Sequence, residues 1–527
     1  MYLVDSYIFS NSFARIVDST GIDLGRSVTT DSNGGVYVAG RYNGTPNVKT
    51  ASGTVLATLP TSVNVAAFVS KFDSSGAYQY SVIVDGTSST QDYGYGVTSD
   101  NMSNIYLACD YTASCNIIFA SSSNTFSNVA SLPPMVGSTP QACMVKFTSS
   151  GTYLYSRIID STSSSDCYGV ACDTTGNVYM TGNYDGSSVY VRTASNANVY
   201  SNVATLPASF GFPTTPAAYV SKFTSTGTYL YSRLVDSTSV SGNDTGYAVA
   251  CDASDNLYIA GTYRTDGYIR TASNSNVYSN VSILPTSIGF VSSFLLKFDA
   301  GGAYQYGRTI DSARQEYGYS VSCDPQGNVY FAGEYSGNTT TFVRTSSSTN
   351  VYANVATLPI VLTGTSNAAA FVSKFDSSGA YQYSRIIDSI GNQDTGFSVA
   401  CDPMGNVYLA GSYTTGPAYV RTASNANVFS NVTTIAAVTR VSAFVAKFNS
   451  SGTYQYARIV GTSISSEDTT AYGVCCDSNS NMYITGGYLG TPTIKDQAGT
   501  TIGTLPTSSG NDAAFLIKFS PDGTYAS

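Results

Sequence analysis

The chain has 527 residues and a net charge of −9, and only 11% of it is charged, against about a quarter in ordinary globular domains. An acidic surface repels phosphate backbones and argues against nucleic acid as a partner, and no apolar run approaches the roughly 18 residues of a membrane span. His and Trp are both absent, which removes imidazole acid–base catalysis, Ser-His-Asp chemistry and His-ligated metals.

The first stretch, "MYLVDSYIFSNSF", has no basic n-region, no long apolar core and no small-residue cleavage site. No secretory signal is expected from it. Next comes "SFARIVDS" at 12–19, which matches a phrase of the kind "YSRIIDS" that closes each later unit. One strand of that kind therefore stands ahead of the repeats.

The repeats follow. The phrase "CDPMGNVYLAGSY" at 401–413 returns seven times with small changes, marked by Tyr37, Tyr106, Tyr179, Tyr258, Tyr330, Tyr408 and Tyr483. A second phrase, "AFVSKFDSSGAYQYS" at 67–81, runs in phase with it. Its Lys repeats as Lys71, Lys146, Lys222, Lys297, Lys374, Lys447 and Lys518, which are seven of the nine lysines. Each unit carries four runs rich in β-branched and aromatic residues, such as "YGVACD", "NVYMTGNY", "AAYVSKF" and "YLYSRIID". Turns such as "DTTGN" and "TSTGT" join the first to the second and the third to the fourth, with Gly suited to positive φ. No helical periodicity appears. Four antiparallel strands, repeated seven times, predict an all-β, seven-bladed β-propeller with four-stranded blades, a single domain over 1–527. The last unit stops at "SPDGTY" without its own fourth strand. Residues 12–19 are expected to supply it and close the ring.

The second-to-third connection of each unit is a long insertion, for example "VYVRTASNANVYSNVATLP" at 189–207. It predicts an extra hairpin on each blade, on one elaborated face. The insertion places a base at one aligned position: Lys49, Arg192, Arg270, Arg344, Arg421 and Lys495, with Ile118 in the second unit. These bases either form a ring for an anionic ligand such as a sialylated or sulfated glycan, or pair with nearby acids or water. The loop before the innermost strand places an acid at Asp23, Asp92, Asp166, Asp244, Glu316, Asp394 and Asp468. A further acid ends the fourth strand at Asp18, Asp85, Asp160, Asp236, Asp311 and Asp388, with Gly461 last. The first-turn acids from Asp31 to Asp477 are expected to bond their own turns. A calcium loop needs more oxygen ligands than "DPQGN" offers, so no metal or other cofactor is expected. Aromatic residues open the innermost strand at Tyr95, Tyr168, Tyr247, Tyr319, Phe397 and Tyr472, with Arg26 in the first unit. They are expected to rim the central opening, for packing or for stacking on sugar rings.

Five of the ten cysteines, Cys172, Cys251, Cys323, Cys401 and Cys476, share one repeated position and read as small core filler. Cys109, Cys115 and Cys143 fall in one unit and leave a local disulfide open.

"GYGVTSDNMSNIYLACDY" and "AFVSKFDSSGAYQYS" resemble the two signature segments of the SBBP-type β-propeller repeat family, over nearly the whole chain. Where such repeats carry Trp, this chain has Tyr80, Tyr155, Tyr231, Tyr306, Tyr383 and Tyr456. The resemblance implies a propeller scaffold, often on surfaces, and no particular activity. The leading expectation is a non-enzymatic, surface-displayed binding or structural module, virion-associated or extracellular, with protein partners or glycans. The alternatives are a carbohydrate-active hydrolase or lyase of sialidase-like type, and a self-assembling extracellular scaffold.

Overall fold

The computed structural model describes residues 12–525 apart from 88–90, 138, 196–198, 211–214, 239–242, 338, 363–366, 392, 463 and 465–466. Residues 1–11 of the stretch read for a signal lie outside the described residues, as do the last three of "ASNAN" at 194–198. Every regular element described is a β-strand, and the strands form seven sheets of six. The innermost strands, from Leu24–Thr30 and Tyr93–Ser99 round to Thr469–Cys476, stand side by side, and the last lies against the first. The chain is a seven-bladed β-propeller. Among the described residues no helix is long and apolar enough to cross a membrane.

The second and third strands of a blade, such as Val178–Tyr184 and Ala217–Phe223, are buried along their whole length. Both faces of each sheet are covered by neighbouring blades, so these strands read as near-continuous apolar runs rather than alternating ones. The core therefore lies between sheets. One cluster, for instance, joins Tyr37, Val69 and Val82 of the first blade to Ile105, Leu107 and Val145 of the second.

The blades differ from the expected four strands, and the reason is an edge. The fourth strand of a four-stranded blade leaves its outer N–H and C=O groups unpaired. The insertion of the next unit covers them. The hairpin Val189–Ser195 and Tyr200–Leu206, inserted between strands of one blade, pairs onto Tyr153–Ser161 of the preceding blade. The hairpins thus widen each sheet around the circumference instead of standing on one face. In the sheet that joins the chain ends, Phe13–Asp18 lies between Ala513–Phe519 and Asn47–Thr50, from Phe13 opposite Lys518 to Val17 opposite Ala514.

Repeated side chains fasten blade to blade. Each ladder lysine donates from Nζ to a carbonyl in the next blade's third turn, from Lys71 to Ser149 at 2.7 Å and so on round the ring. Tyr155 Oη donates to the same carbonyl as Lys146, that of Ser225, at 3.2 Å. Tyr80 and Tyr456 donate to the equivalent carbonyls, and what the position shares in every blade is a large flat ring packed between blades. Arg157 lies over the Tyr155 ring and donates from Nε to the Gly227 carbonyl. Arg15, Arg233, Arg308, Arg385 and Arg458 make the same bond to their neighbours. Gly227 itself has φ +85°, and an added Cβ would lie 2.0 Å from Arg157, so only glycine fits that turn.

The first-turn aspartates bond their own turns, as expected. Asp173 Oδ1 accepts from the N–H groups of Thr175 and Asn177, and Oδ2 accepts from Tyr179 Oη. Among the described residues no group of three acids or thiols could hold a metal ion. All ten cysteines are free. Cys109 and Cys143 stand opposite each other on paired strands without a disulfide.

Candidate functional site

The aligned bases belong to buried ion pairs. The hairpin register sets Arg192 beside Ile158, so that its guanidinium reaches Asp160, two residues along the preceding blade's fourth strand. Arg270 pairs with Asp236, Arg344 with Asp311, and Arg421 with Asp388. Lys49 Nζ lies 2.6 Å from Asp18. The basic side chains are 10–15% exposed and the acids 0–1%, which leaves no open ring of charge. Their partners are the acids ending the fourth strand, not those of the long loop. Two positions break the series. Ile118, beside Ile83, stands where a base would reach Asp85, and burial pushes the Asp85 carboxyl up to about 6. Lys495 sits beside Ile459, with Gly461 where the acid would be.

The long-loop acids are structural. Asp244 accepts from the Ser237 N–H and hydroxyl and from the Arg264 N–H. Asp23, Asp92, Glu316 and Asp394 make the same kind of buried loop cap. Two members of the expected ladder are displaced. Ser165 and Thr469 occupy the buried position, and Asp166 and Asp468 lie one residue to the side. At the loop leading into the third blade, Gln141 Oε1 from the second blade takes over, accepting from the Ser161 N–H and the Ser165 hydroxyl.

The aromatic residues come together. Each innermost strand has a β-bulge at one place: the pairing skips from Gly94 to Gly96, from Cys167 to Gly169 and from Gly246 to Ala248, with the same skip in every other blade. The skipped residue is Arg26, Tyr95, Tyr168, Tyr247, Tyr319, Phe397 or Tyr472. A bulge turns its side chain out of the pleat, and here all seven line one end of the central channel, a cavity of about 340 Å³. Consecutive rings touch, with centroids 4.9 Å apart from Tyr95 to Tyr168 and 5.5 Å apart from Tyr168 to Tyr247. The series continues through Tyr319 and Phe397 to Tyr472 at 5.1 Å. Arg26 completes it, with Cζ 4.3 Å from the centre of the Tyr472 ring. Below the rim come a small residue from each blade and a Val from six of them.

A further tier was missed from the sequence. Opposite the residue two before each bulge stand Arg41, Asp110, Asn183, Thr262, Glu334, Ser412 and Gly487. No two are alike, although the phrase around them repeats. The signal was present in "VYVAGRY", "IYLACDY", "VYMTGNY" and their fellows, where the next-to-last letter changes every time. Glu334 of this tier and Asp166, which stands opposite Asn183, each accept from a rim hydroxyl. Tyr319 Oη donates to Glu334 Oε1 at 3.5 Å, and Tyr168 Oη to Asp166 Oδ2 at 3.1 Å. Asp110 accepts from the Cys167 N–H at 2.9 Å. Burial pushes its carboxyl well up, and the neighbouring Asp166 adds to this.

At the channel's other end, Cys251, Cys323, Cys401 and Cys476 with the adjoining aspartates line a second cavity of about 390 Å³. Desolvation pushes these thiols up, so they are protonated and weakly nucleophilic.

No family model matches the chain. It is similar to an uncharacterized WD repeat-containing protein of Acanthamoeba polyphaga mimivirus, 22% identical over 91% of this chain, and spans 36% of that protein's length. Among solved structures it is similar to a protein from Lactobacillus plantarum, at 10% identity and a TM-score of 0.31 over 96% of this chain and 99% of that one. It is also similar to a leech intramolecular trans-sialidase, at 10% identity and a TM-score of 0.33 over 90% and 91%. A β-propeller with a distant viral WD repeat relative suggests a binding or scaffold role.

Proposed function

We propose that this chain is a non-enzymatic binding propeller, displayed on a virion or other exterior surface, whose recognition site is the aromatic mouth of its central channel. The ligand class is carbohydrate. The observation that carries this reading is the set of seven bulges, which aim six aromatic rings and one guanidinium into a single opening. Repetition explains the bulge. It does not explain Arg26 standing among six aromatic rings, and that exception makes the mouth asymmetric, as recognition of one ligand requires. Flat aromatic faces on a rigid frame suit sugar rings. The mimivirus relative supports the virion setting.

Glycan-array binding of the wild type, Tyr168→Ala and Tyr319→Ala tests this. Wild type retains a saccharide and each variant loses it at least tenfold. Binding that survives both substitutions moves the site away from the mouth.

One observation favours a second reading, a carbohydrate-active hydrolase. Asp110 and Asp166 are paired carboxyls of raised pKa beside Tyr95 and Tyr168, the equipment of acid–base glycoside cleavage. Turnover of a bound saccharide, abolished by Asp166→Asn, would establish it over simple binding.

A further inference from the structure

We propose that the ligand of the channel mouth is an acidic saccharide, and that Arg26 is the residue that takes its negative group. This rests on the reading of the mouth as the ligand site.

Six blades place an aromatic ring at the bulge; the first places Arg26. The bulge turns it into the same cavity. Its guanidinium stacks on Tyr472, and among the described residues it makes no hydrogen bond and no ion pair. That is unlike the hairpin arginines, which hold carboxylates, and the fourth-strand arginines, which hold backbone carbonyls. Arg41 stands beside it, 4.6 Å over the Tyr93 ring, and its Nε is buried without a partner. Arg26 thus lines the mouth of an acidic protein with a second guanidinium close enough to act on it. Desolvation holds Arg26 below its usual pKa, and Arg41 adds repulsion. Asp110 and Asp166 act on Tyr95 from the next blade boundary, and among the described residues no ion pair includes Arg26.

A guanidinium has five donors and no acceptor. Half-buried and unpartnered, it is costly to the free protein. A carboxylate or sulfate entering the channel supplies acceptors in the planar fork that guanidinium prefers. The aromatic neighbours offer stacking faces for the sugar that carries it. The asymmetry of the ring then has a use: six positions contact the sugar face and one reads its charge.

Calorimetric titration with three probes tests this: an oligogalacturonate, a neutral galactan oligomer of the same length and a sulfated one. Wild type is expected to bind an acidic probe at least tenfold tighter than the neutral one. Arg26→Gln abolishes that preference, bringing acidic and neutral probes to the same affinity. A carboxylate-only or sulfate-only preference identifies the group. Tyr472→Leu, which removes the ring under the guanidinium, weakens acidic binding in parallel and guards against a poorly folded Arg26 variant. Equal binding of all three probes by wild type, lost in Tyr168→Ala, overturns the Arg26 anchor and leaves the mouth as the site. A preference that persists in Arg26→Gln overturns it as well. No binding of any probe overturns both readings.

Discussion

Lys518 Nζ donates to the carbonyl oxygen of Ser74, 3.0 Å away and 444 residues earlier in the chain. The same bond joins every other pair of neighbouring blades, but this one spans the boundary between the last blade and the first. Lys518→Ala is therefore expected to lower unfolding stability by about 0.5–1.5 kcal/mol, the net worth of a hydrogen bond whose acceptor, on exposed Ser74, can turn to water. Lys222→Ala at an interior boundary serves as the comparison in urea titrations. A variant as stable as wild type would show that this bond does not hold the boundary.

Arg270 and Asp236 are both buried. Arg270→Met leaves an uncompensated buried carboxylate, with an expected loss of about 3–5 kcal/mol. The defect at Asp85 predicts the opposite change. Ile118→Arg restores the missing partner in the register that the other hairpins use. The Asp85 carboxyl should fall from about 6 into the ordinary range, and the melting temperature at pH 7.5 should rise. NMR titration and thermal melts check both. An unchanged Asp85 titration would refute the placement.

Burial pushes Asp92 up to about 6, Asp23, Asp244 and Asp394 up to about 7, and Glu316 up to about 8. The unfolded carboxyls titrate near 4. A folded pKa above the unfolded one means that the folded state holds the proton more tightly. Each group's contribution is full below about pH 4 and is lost as the pH climbs through 6 to 8. Asp73 and Asp376 act the other way. Desolvation opposes them, but hydrogen bonds from Ser75 and Ser378 outweigh it and hold them below the usual range, so they lose stability only below about pH 4. The melting temperature should be higher at pH 5 than at pH 8.5. Glu316→Gln should narrow the gap, because a Gln carbonyl caps the equivalent loop leading into the third blade. A melt independent of pH over that range would contradict these assignments.

Gly227→Ala combines a positive φ with a collision against the Arg157 guanidinium. Backbone strain of this kind costs about 1–3 kcal/mol, and displacing the arginine adds to it. Arg157→Leu should recover part of the loss. A double-mutant cycle by denaturant titration measures the coupling, and additive effects would argue against the contact.

The repeat made much of the fold legible. Phrases such as "NVYMTGNY" and "AAYVSKF" announce strands because burial on both faces demands apolar residues along them, and the count of seven follows from the Tyr and Lys ladders. The aromatic rim was legible for the same reason, as one aligned column. The bases from Arg192 to Arg421 were equally visible, but their meaning was not. A column shows that a residue recurs, while its partner depends on register, which pairs Arg192 with the preceding blade's Asp160.

The order of side chains along the chain was therefore enough to determine a ring of seven β-sheets with aromatic residues at its centre, because short apolar runs, turn glycines and periodicity are encoded in neighbouring letters. Tertiary structure alone decided that each hairpin crosses to the blade before it, that the repeated charges are spent inside ion pairs, and that Arg26 is left without one. Those outcomes depend on which backbone edge lies open and which register fills it, and both are set between residues far apart in the chain.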